Sequence, residues 1–171
     1  VKKTHISEFK NLRKNGLIAI SLKDGDELLK VKNTYGDANI IVVTQNGYAV
    51  RFNEQNVRAM GRTASGVKAI NLKDDDIAVC MDIAVDDEEL LVISENGFGK
   101  RTPIKEYKVQ NRGGVGLITY KISEKTGKLV GATVCKVDDE LMLINSSGVA
   151  IRINVSDISV TRSEERRVGK E

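Results

Sequence analysis

The sequence predicts an all-β, propeller-like fold of about three four-stranded repeats, because its motifs return at a fixed spacing. Three similar seven-residue segments begin at glycines 50 residues apart, at positions 16, 66 and 116. A second marker, Asn-Gly or Ser-Gly, ends at Gly47, Gly97 and Gly148. An arginine lies four positions after each of these glycines, at Arg51, Arg101 and Arg152. Self-similarity at a period of about 20–50 residues is typical of propellers, solenoids and arrays.

Each full repeat is predicted to contain four short strands, because Val, Ile and Leu cluster in runs of about five or six residues bounded by turn residues. The predicted strands are 17–22, 27–31, 40–44 and 48–52, then 67–72, 77–81, 90–94 and 98–102, then 117–122, 129–135, 141–145 and 149–153. The Asn-Gly pairs between third and fourth strands favour tight hairpins. The third strands are continuously apolar, which indicates cover on both faces, as in stacked blades. We predict almost no helix.

The period also divides the chain. Residues 1–15 form the end of a preceding repeat with its connector, the repeats are 16–65, 66–115 and 116–162, and a tail spans 163–171. The start of the chain, 1–4, is similar to 99–102 at the fourth strand of the second repeat. The tail breaks the pattern, because the period predicts a glycine where Arg166 stands. We therefore exclude the tail from the fold and expect it to be artefactual or disordered.

The composition indicates a soluble globular protein, since 40% of the 171 residues are hydrophobic and 30% are charged. The formal net charge of +3 is compatible with a polyanionic partner but does not identify one. No apolar run approaches the roughly 20 residues that cross a membrane, and no signal-peptide core is evident, so we expect a cytoplasmic protein. Cys80 and Cys135 lie in apolar runs and are expected to be buried, reduced thiols.

Basic residues recur in the polar connector after each fourth strand: Arg62, Arg112 and Arg162 are 50 residues apart, and Arg58 is matched by Lys108. A cation at one position per blade would form a curved basic track, which suits a bent polyanion. The candidate residues of this track, which the family resemblance described next implies to be DNA-binding, are Arg58, Arg62, Lys108, Arg112, Arg51, Arg101, Arg152, Lys68 and Lys100. For the strand-four arginines a structural role is equally open, in which each ties its strand to an acidic turn of its own or a neighbouring repeat.

Four segments resemble the C-terminal domain of bacterial DNA gyrase A, in the same order and with the same spacing. They are 15–22, 60–67, 99–103 and 110–117, and the resemblance covers residues 1 to 162. In that family the domain is a β-pinwheel, a propeller-like ring of about six blades that exchange strands with their neighbours. The resemblance implies a DNA-binding and DNA-wrapping module, which supports ATP-dependent negative supercoiling by a parent type II topoisomerase.

The same resemblance implies that the catalytic tyrosine, ATP and Mg²⁺ belong to other parts of the parent enzyme, an A2B2 complex with gyrase B. No catalytic residue, metal ligand or cofactor is therefore expected in this chain. The gyrase box, which in that family is a Gln-Arg-Arg-Gly-Gly-Lys-Gly-like heptad of the first blade, is absent. Residues 110–116 resemble it only weakly, with Asn111 and Val115 in place of two cations. Because that motif is incomplete, topoisomerase IV, the decatenating relative, stays an alternative.

A protein-binding propeller scaffold is a further alternative. Such a scaffold should present aromatic anchors on one face of the ring. Only 4% of the residues are aromatic and Trp is absent, which argues against it. The tyrosines are predicted to pack in the core or at the rim: Tyr35, Tyr48, Tyr107 and Tyr120. The acidic runs 86–89 and 138–140 are interpreted as solvated turns rather than a metal site, and no catalytic constellation is visible.

Overall fold

The computed structural model describes residues 1–161, which fold as β-strands, turns and extended segments without an α-helix. The strands are β1 Asn39–Thr44, β2 Tyr48–Asn53, β3 Ala78–Ile83, β4 Glu89–Ser94, β5 Gly99–Pro103, β6 Leu117–Ile118, β7 Leu129–Cys135, β8 Glu140–Ile144 and β9 Ala150–Asn154. Short 3-10 turns lie at Ile6–Phe9, Glu54–Asn56, Ile104–Glu106 and Val155–Asp157. The last three turns directly follow the fourth strand of each repeat. The all-β prediction is confirmed.

The predicted hairpins are present, and the sheets combine strands from different repeats. The hairpins are β1–β2, β4–β5 and β8–β9, all antiparallel. Strand β3, from the second repeat, pairs with β1 of the first repeat, with Val42 opposite Met81. Strand β7, from the third repeat, pairs with β4 of the second, with Val92 opposite Ala132. The exchange of strands between neighbouring repeats that the resemblance implied is therefore confirmed.

The three sheets contain four, three and two strands among the described residues, in the orders β3-β1-β2-β6, β5-β4-β7 and β8-β9. Strands β1 and β4 are paired on both edges. They are also almost fully buried, which explains why both are continuously apolar. Both faces of β1 and β4 are therefore covered by other parts of the protein, as a continuously apolar strand requires.

The predicted first strands of the repeats, and one second strand, are wrong. Residues 17–22, 27–31 and 67–72 form no ladder, and the predicted strand 117–122 is reduced to Leu117–Ile118. Their backbone groups instead make single bonds to other segments, as when the amide of Asn71 donates to the Gly114 carbonyl at 2.7 Å. The amino-acid pattern indicated extended backbone correctly, but extended backbone becomes a strand only beside a free sheet edge.

The main core lies between the first two sheets. It joins Ile41 and Val43 of β1 to Leu90 and Val92 of β4 and is closed by the ring of Tyr107. The Tyr107 hydroxyl makes a hydrogen bond with the Thr119 hydroxyl, which satisfies its only polar group inside the core. Two smaller clusters lie on the other faces of these sheets. The sheets therefore pack face to face, as blades of a propeller do.

Candidate nucleic-acid interface

The strand-four arginine of the first repeat is buried and bonded to the next repeat. Arg51 is only 5% exposed. Its Nη1 atom donates to the carbonyl oxygens of Ile104, at 3.3 Å, and Tyr107, at 3.2 Å. Its Nη2 atom is 2.5 Å from Oδ1 of Asp86. The guanidinium thus closes the 3-10 turn Ile104–Glu106 of the second repeat onto β2 of the first.

Arg101 repeats this arrangement one repeat later. Its Nε atom donates to the Ile158 carbonyl at 2.8 Å, and its Nη2 atom donates to the Ser156 carbonyl at 3.3 Å. These carbonyls belong to the turn that follows β9, and Oε2 of Glu89 supplies the negative charge at 2.5 Å. At the start of the chain, Nζ of Lys3 donates to the Glu54 carbonyl at 2.9 Å. We call this contact, a strand-four cation on the next repeat's 3-10 turn, the inter-repeat clasp.

The clasp favours the structural alternative for Arg51 and Arg101, a tie to an acidic group, because both side chains are buried and bonded within the protein. Lys100 is likewise buried, with its Nζ atom 5.7 Å from the centre of the Tyr120 ring. DNA binding by these three residues stays a prediction, and their burial argues against it. Arg152 differs, because it is exposed and ion-paired with exposed Glu140.

The connector arginines make a second repeated contact. Nη1 of Arg62 donates to the Ile18 carbonyl at 3.0 Å, and Nη1 of Arg112 donates to the Lys68 carbonyl at 3.1 Å. Ile18 and Lys68 occupy the same position in consecutive repeats, since each is two residues after the repeat glycine. Arg112 also donates through Nε to the Asn56 carbonyl at 2.9 Å. Both residues are half-buried and their guanidinium bonds lie in exposed surroundings, so the backbone fixes the direction of each guanidinium while part of it faces solvent.

The remaining predicted cations lie on the surface. Arg58 and Lys108 are exposed at equivalent positions, each two residues after the 3-10 turn that follows strand four. Lys68 is exposed as well, and its Nζ atom is 3.3 Å from Oδ1 of Asn71. Because Arg112 bonds to its carbonyl, Lys68 lies beside that guanidinium. Arg162, the third member of the connector series, lies outside the described residues, as does the tail 163–171.

Sequence reasoning missed Lys3 as a member of the clasp series. The signal was present, because 1–4 is similar to 99–102, and in that alignment Lys3 occupies the position equivalent to Arg101. It also missed Glu54, a buried carboxylate in the first 3-10 turn, for which the repeat offers no signal: Ile104 and Val155 stand at the equivalent positions. A residue that departs from the period is not identified by the period.

Within residues 1–161 no group of three or more His, Cys, Asp or Glu side chains is arranged to hold a metal ion. The acidic runs 86–89 and 138–140 are exposed or half-buried turn segments that end at the first residues of β4 and β8, Glu89 and Glu140. Over the same residues, no helix has the length and apolar character needed to cross a membrane. Cys80 and Cys135 are buried free thiols, as predicted. The feature left to interpret is therefore the set of surface cations on the connectors.

A family model described as "DNA gyrase C-terminal domain, beta-propeller" matches residues 1–34, 38–79, 88–136 and 139–163. The chain belongs to this family. The match includes strands of all three sheets and both connectors that carry the recurring cations, and it leaves out residues 80–87, which contain most of β3. The description agrees with the propeller-like fold and with the resemblance found in the sequence.

Individual relatives agree with the family. DNA gyrase A of Clostridium acetobutylicum is 67% identical over 161 residues, which are 94% of this chain and 19% of that protein. DNA gyrase A of Halalkalibacterium halodurans is 55% identical over 160 residues. The chain thus spans about a fifth of the length of these curated relatives, 19% in both cases.

Two solved structures have the same fold. One is described as the C-terminal domain of DNA topoisomerase IV, with a TM-score of 0.89 and 29% identity over 95% of this chain and 51% of that one. The other is described as the DNA gyrase A C-terminal domain, with a TM-score of 0.81 and 31% identity over 88% of this chain and 52% of that one. The described repeats therefore correspond to about half of each solved domain.

Proposed function

We propose that this chain is a DNA-binding and DNA-wrapping part of a DNA gyrase A. The observation that carries the proposal is the exposure of Arg58 and Lys108 at equivalent positions of consecutive repeats. The half-buried Arg62 and Arg112 lie on the same connectors, and exposed Lys68 is the residue whose carbonyl Arg112 bonds. A cation that returns once per blade follows the curve of the blades, which is the geometry that a bent polyanion requires.

The proposed contacts are with phosphates. Lys and Arg side chains on the sugar–phosphate backbone fix the position of a protein on a duplex without reading its sequence. Each contact releases condensed counterions, so affinity should fall steeply with salt. The backbone bonds that hold Arg62 and Arg112 reduce the entropy lost when their free edges meet a phosphate. Arg152 contributes less, because Glu140 already neutralises much of its charge.

The activity of the whole protein follows from the same proposal. The wrapped duplex would be delivered to a breakage–reunion site elsewhere in gyrase A, in an A2B2 complex with gyrase B, in the cytoplasm. ATP and Mg²⁺ would act in those other parts. The role of this chain is to hold DNA in a bent path, which biases strand passage toward negative supercoiling.

Salt-dependent binding of the chain to a fluorescent duplex tests the proposal. The slope of log K against log salt should become shallower by about 0.9 for each phosphate contact removed, in Arg58→Ala and in Lys108→Ala. Lys136→Ala is the matched control. Lys136 is exposed among acidic side chains, 4.0 Å from Glu88, so this substitution removes the same charge from a part of the surface that should not contact DNA, and the salt slope should not change. A folded chain that does not bind duplex at low salt would reject the proposal.

Topoisomerase IV stays a second candidate, because the topoisomerase IV domain superposes with the higher TM-score, 0.89 against 0.81. The two functions separate when the chain replaces the matching segment of a gyrase A in a reconstituted enzyme. Negative supercoiling of relaxed plasmid with ATP supports the gyrase assignment. Decatenation without supercoiling supports topoisomerase IV.

A further inference from the structure

Tyr35 is the most exposed aromatic side chain of the described residues, at 102% relative exposure. The prediction that it packs in the core or at the rim is wrong for the core. It lies in the loop 33–38 that leads into β1, between polar or small neighbours: Asn33, Thr34, Gly36 and Asp37. Packing does not account for an aromatic side chain at a fully exposed position, so the way the loop holds Tyr35 is informative.

A buried carboxylate fixes the loop on both sides of Tyr35. Oε1 of Glu54 accepts hydrogen bonds from the amides of Gly36, at 2.9 Å, and Ala38, at 2.8 Å. Oε2 of the same carboxylate accepts a bond from the Thr34 hydroxyl at 2.8 Å. Gly36 adopts φ +107°, a conformation that other residues rarely take. The ring is therefore presented to solvent by a loop that the protein has made rigid.

This arrangement is a coordinated departure from the repeat. Residues 36–39 contain one acidic side chain, whereas the equivalent residues 86–89 contain four and 137–140 contain three. In the second clasp the carboxylate is Asp86, and Gly36 occupies the corresponding position of the first repeat. In the first clasp the carboxylate is Glu54, 3.8 Å from Lys3. The carboxylate of the first clasp is therefore the buried Glu54, which bonds the loop around Tyr35, whereas that of the second clasp is the exposed Asp86.

The loop adjoins the proposed DNA surface. Oδ1 of Asp37 accepts a hydrogen bond from the Gln55 amide group at 3.2 Å, which joins the loop to the turn Glu54–Asn56. The carbonyl of Asn56, the last residue of this turn, accepts the bond from Arg112 at 2.9 Å. Arg58 lies two residues after Asn56. These bonds connect the loop that carries Tyr35 to the turn that is bonded to Arg112 and precedes Arg58.

We infer that Tyr35 is a further DNA-contacting residue, whose ring packs on a deoxyribose while its hydroxyl donates to a phosphate oxygen. This inference rests on the proposed function. Tyrosine hydroxyls are among the groups that contact phosphates, and such contacts position the protein without reading sequence. This loop has fewer acidic side chains than its equivalents in the other repeats, so it repels a polyanion less. A protein-binding hot spot would instead be ringed by residues that exclude water, and the flanking residues here are small and polar.

Duplex affinity of Tyr35→Ala, Tyr35→Phe and Val85→Ala in the full chain tests the inference. Tyr35→Ala should weaken binding about tenfold, and Tyr35→Phe should lose the part due to the hydroxyl. The salt slope should stay unchanged in both, because no charge is removed. Val85 is exposed at the equivalent position of the second repeat, among acidic side chains, so Val85→Ala should bind as the unmodified chain does.

The outcomes separate the two proposals. If the unmodified chain does not bind duplex, the proposed function fails. If it binds and Tyr35→Ala binds equally well, the inference about Tyr35 is overturned, and a protein becomes the partner to seek for this loop. Circular dichroism melts of each variant check folding, and because Tyr35 is fully exposed we expect the melting temperature to be unchanged.

Discussion

The guanidinium of Arg51 donates to the carbonyl of Ile104, 53 residues further along the chain and one repeat later, at 3.3 Å. Arg101 and Lys3 make the corresponding contact with the 3-10 turn region of the next repeat, at the Ile158 and Glu54 carbonyls respectively. The negative partner changes each time: Asp86 for Arg51, Glu89 for Arg101 and Glu54 for Lys3. The cation and the turn carbonyl are therefore the constant parts of the clasp. A carbonyl is present whatever the side chain, whereas a carboxylate can approach from several positions.

Arg51→Ala should lower the free energy of unfolding by about 2–3 kcal/mol, because it removes the donor to the buried Tyr107 carbonyl and one of the two donors to the Ile104 carbonyl, which keeps its bond from the Tyr107 amide. Arg152→Ala is the matched control. Its side chain is 66% exposed and paired with exposed Glu140, so the cost should be less than about 1 kcal/mol. Urea denaturation followed by circular dichroism measures both. Equal losses in the two variants would contradict a structural role for the clasp.

Gly47→Ala should destabilise the protein much more than Gly97→Ala. Both glycines occupy the same hairpin position, with φ +85° and +78°, so both substitutions carry the cost of about 1–2 kcal/mol for a left-handed backbone. Only at Gly47 would the added methyl group collide with a main-chain atom, the carbonyl oxygen of Tyr120; at Gly97 nothing lies within 4 Å. We expect Gly47→Ala to lower the free energy of unfolding by about 1–3 kcal/mol more than Gly97→Ala. Thermal melts of the two variants make the comparison.

Asp82 should make stability depend on pH in the acid range. Burial alone raises the pKa of this carboxyl, but the hydrogen bonds from Lys32 and from the amides of Val134 and Ile83, with the charge of Lys30, outweigh it, so the pKa lies below the usual value. A lowered folded-state pKa contributes stability above the unfolded value of about 3.9, and that stability is lost as pH falls through the folded value.

Asp82→Asn tests this pH dependence. The variant should unfold about 1–3 kcal/mol more easily than the unmodified chain at pH 7, because Asn cannot replace the charged acceptor. The difference between the two should shrink as pH falls below about 4, because the unfolded chain is protonated at Asp82 before the folded chain is. Urea midpoints at a series of pH values give the result, and a difference that stays constant down to about pH 2 would contradict it.

The two thiols should be unreactive in the folded protein. Burial raises the pKa of the Cys80 thiol to about 11, with a further contribution from Asp82. Burial also raises the pKa of the Cys135 thiol to about 11, with a contribution from Glu89. A disulfide reagent at about pH 8 should therefore label neither cysteine until denaturant is added, since the thiolate is the reacting form. Rapid labelling of either one without denaturant would show that its blade opens.

The strands that could be predicted are those whose evidence is local. The Asn46-Gly47 and Asn96-Gly97 turns and the apolar runs beside them define their hairpins within about 15 residues. The segment 67–72 has an equally strand-like composition but forms no ladder: Val67 exchanges hydrogen bonds with Val1, and the Asn71 amide donates to the Gly114 carbonyl. Residue type favours an extended backbone, but the segment forms a strand only where another strand is free to pair with it.

Residue identity and spacing were sufficient to predict the period, the hairpins, the all-β class and the family. The three-dimensional packing decided which repeat each strand joins and which cations face solvent. Arg51 and Arg58 are both periodic, yet Arg51 is buried against a turn of the next repeat and Arg58 is exposed. A period preserves the position of a charge equally well in either environment. Only the non-local carbonyl groups around Arg51 distinguish a structural tie from a contact that DNA can reach.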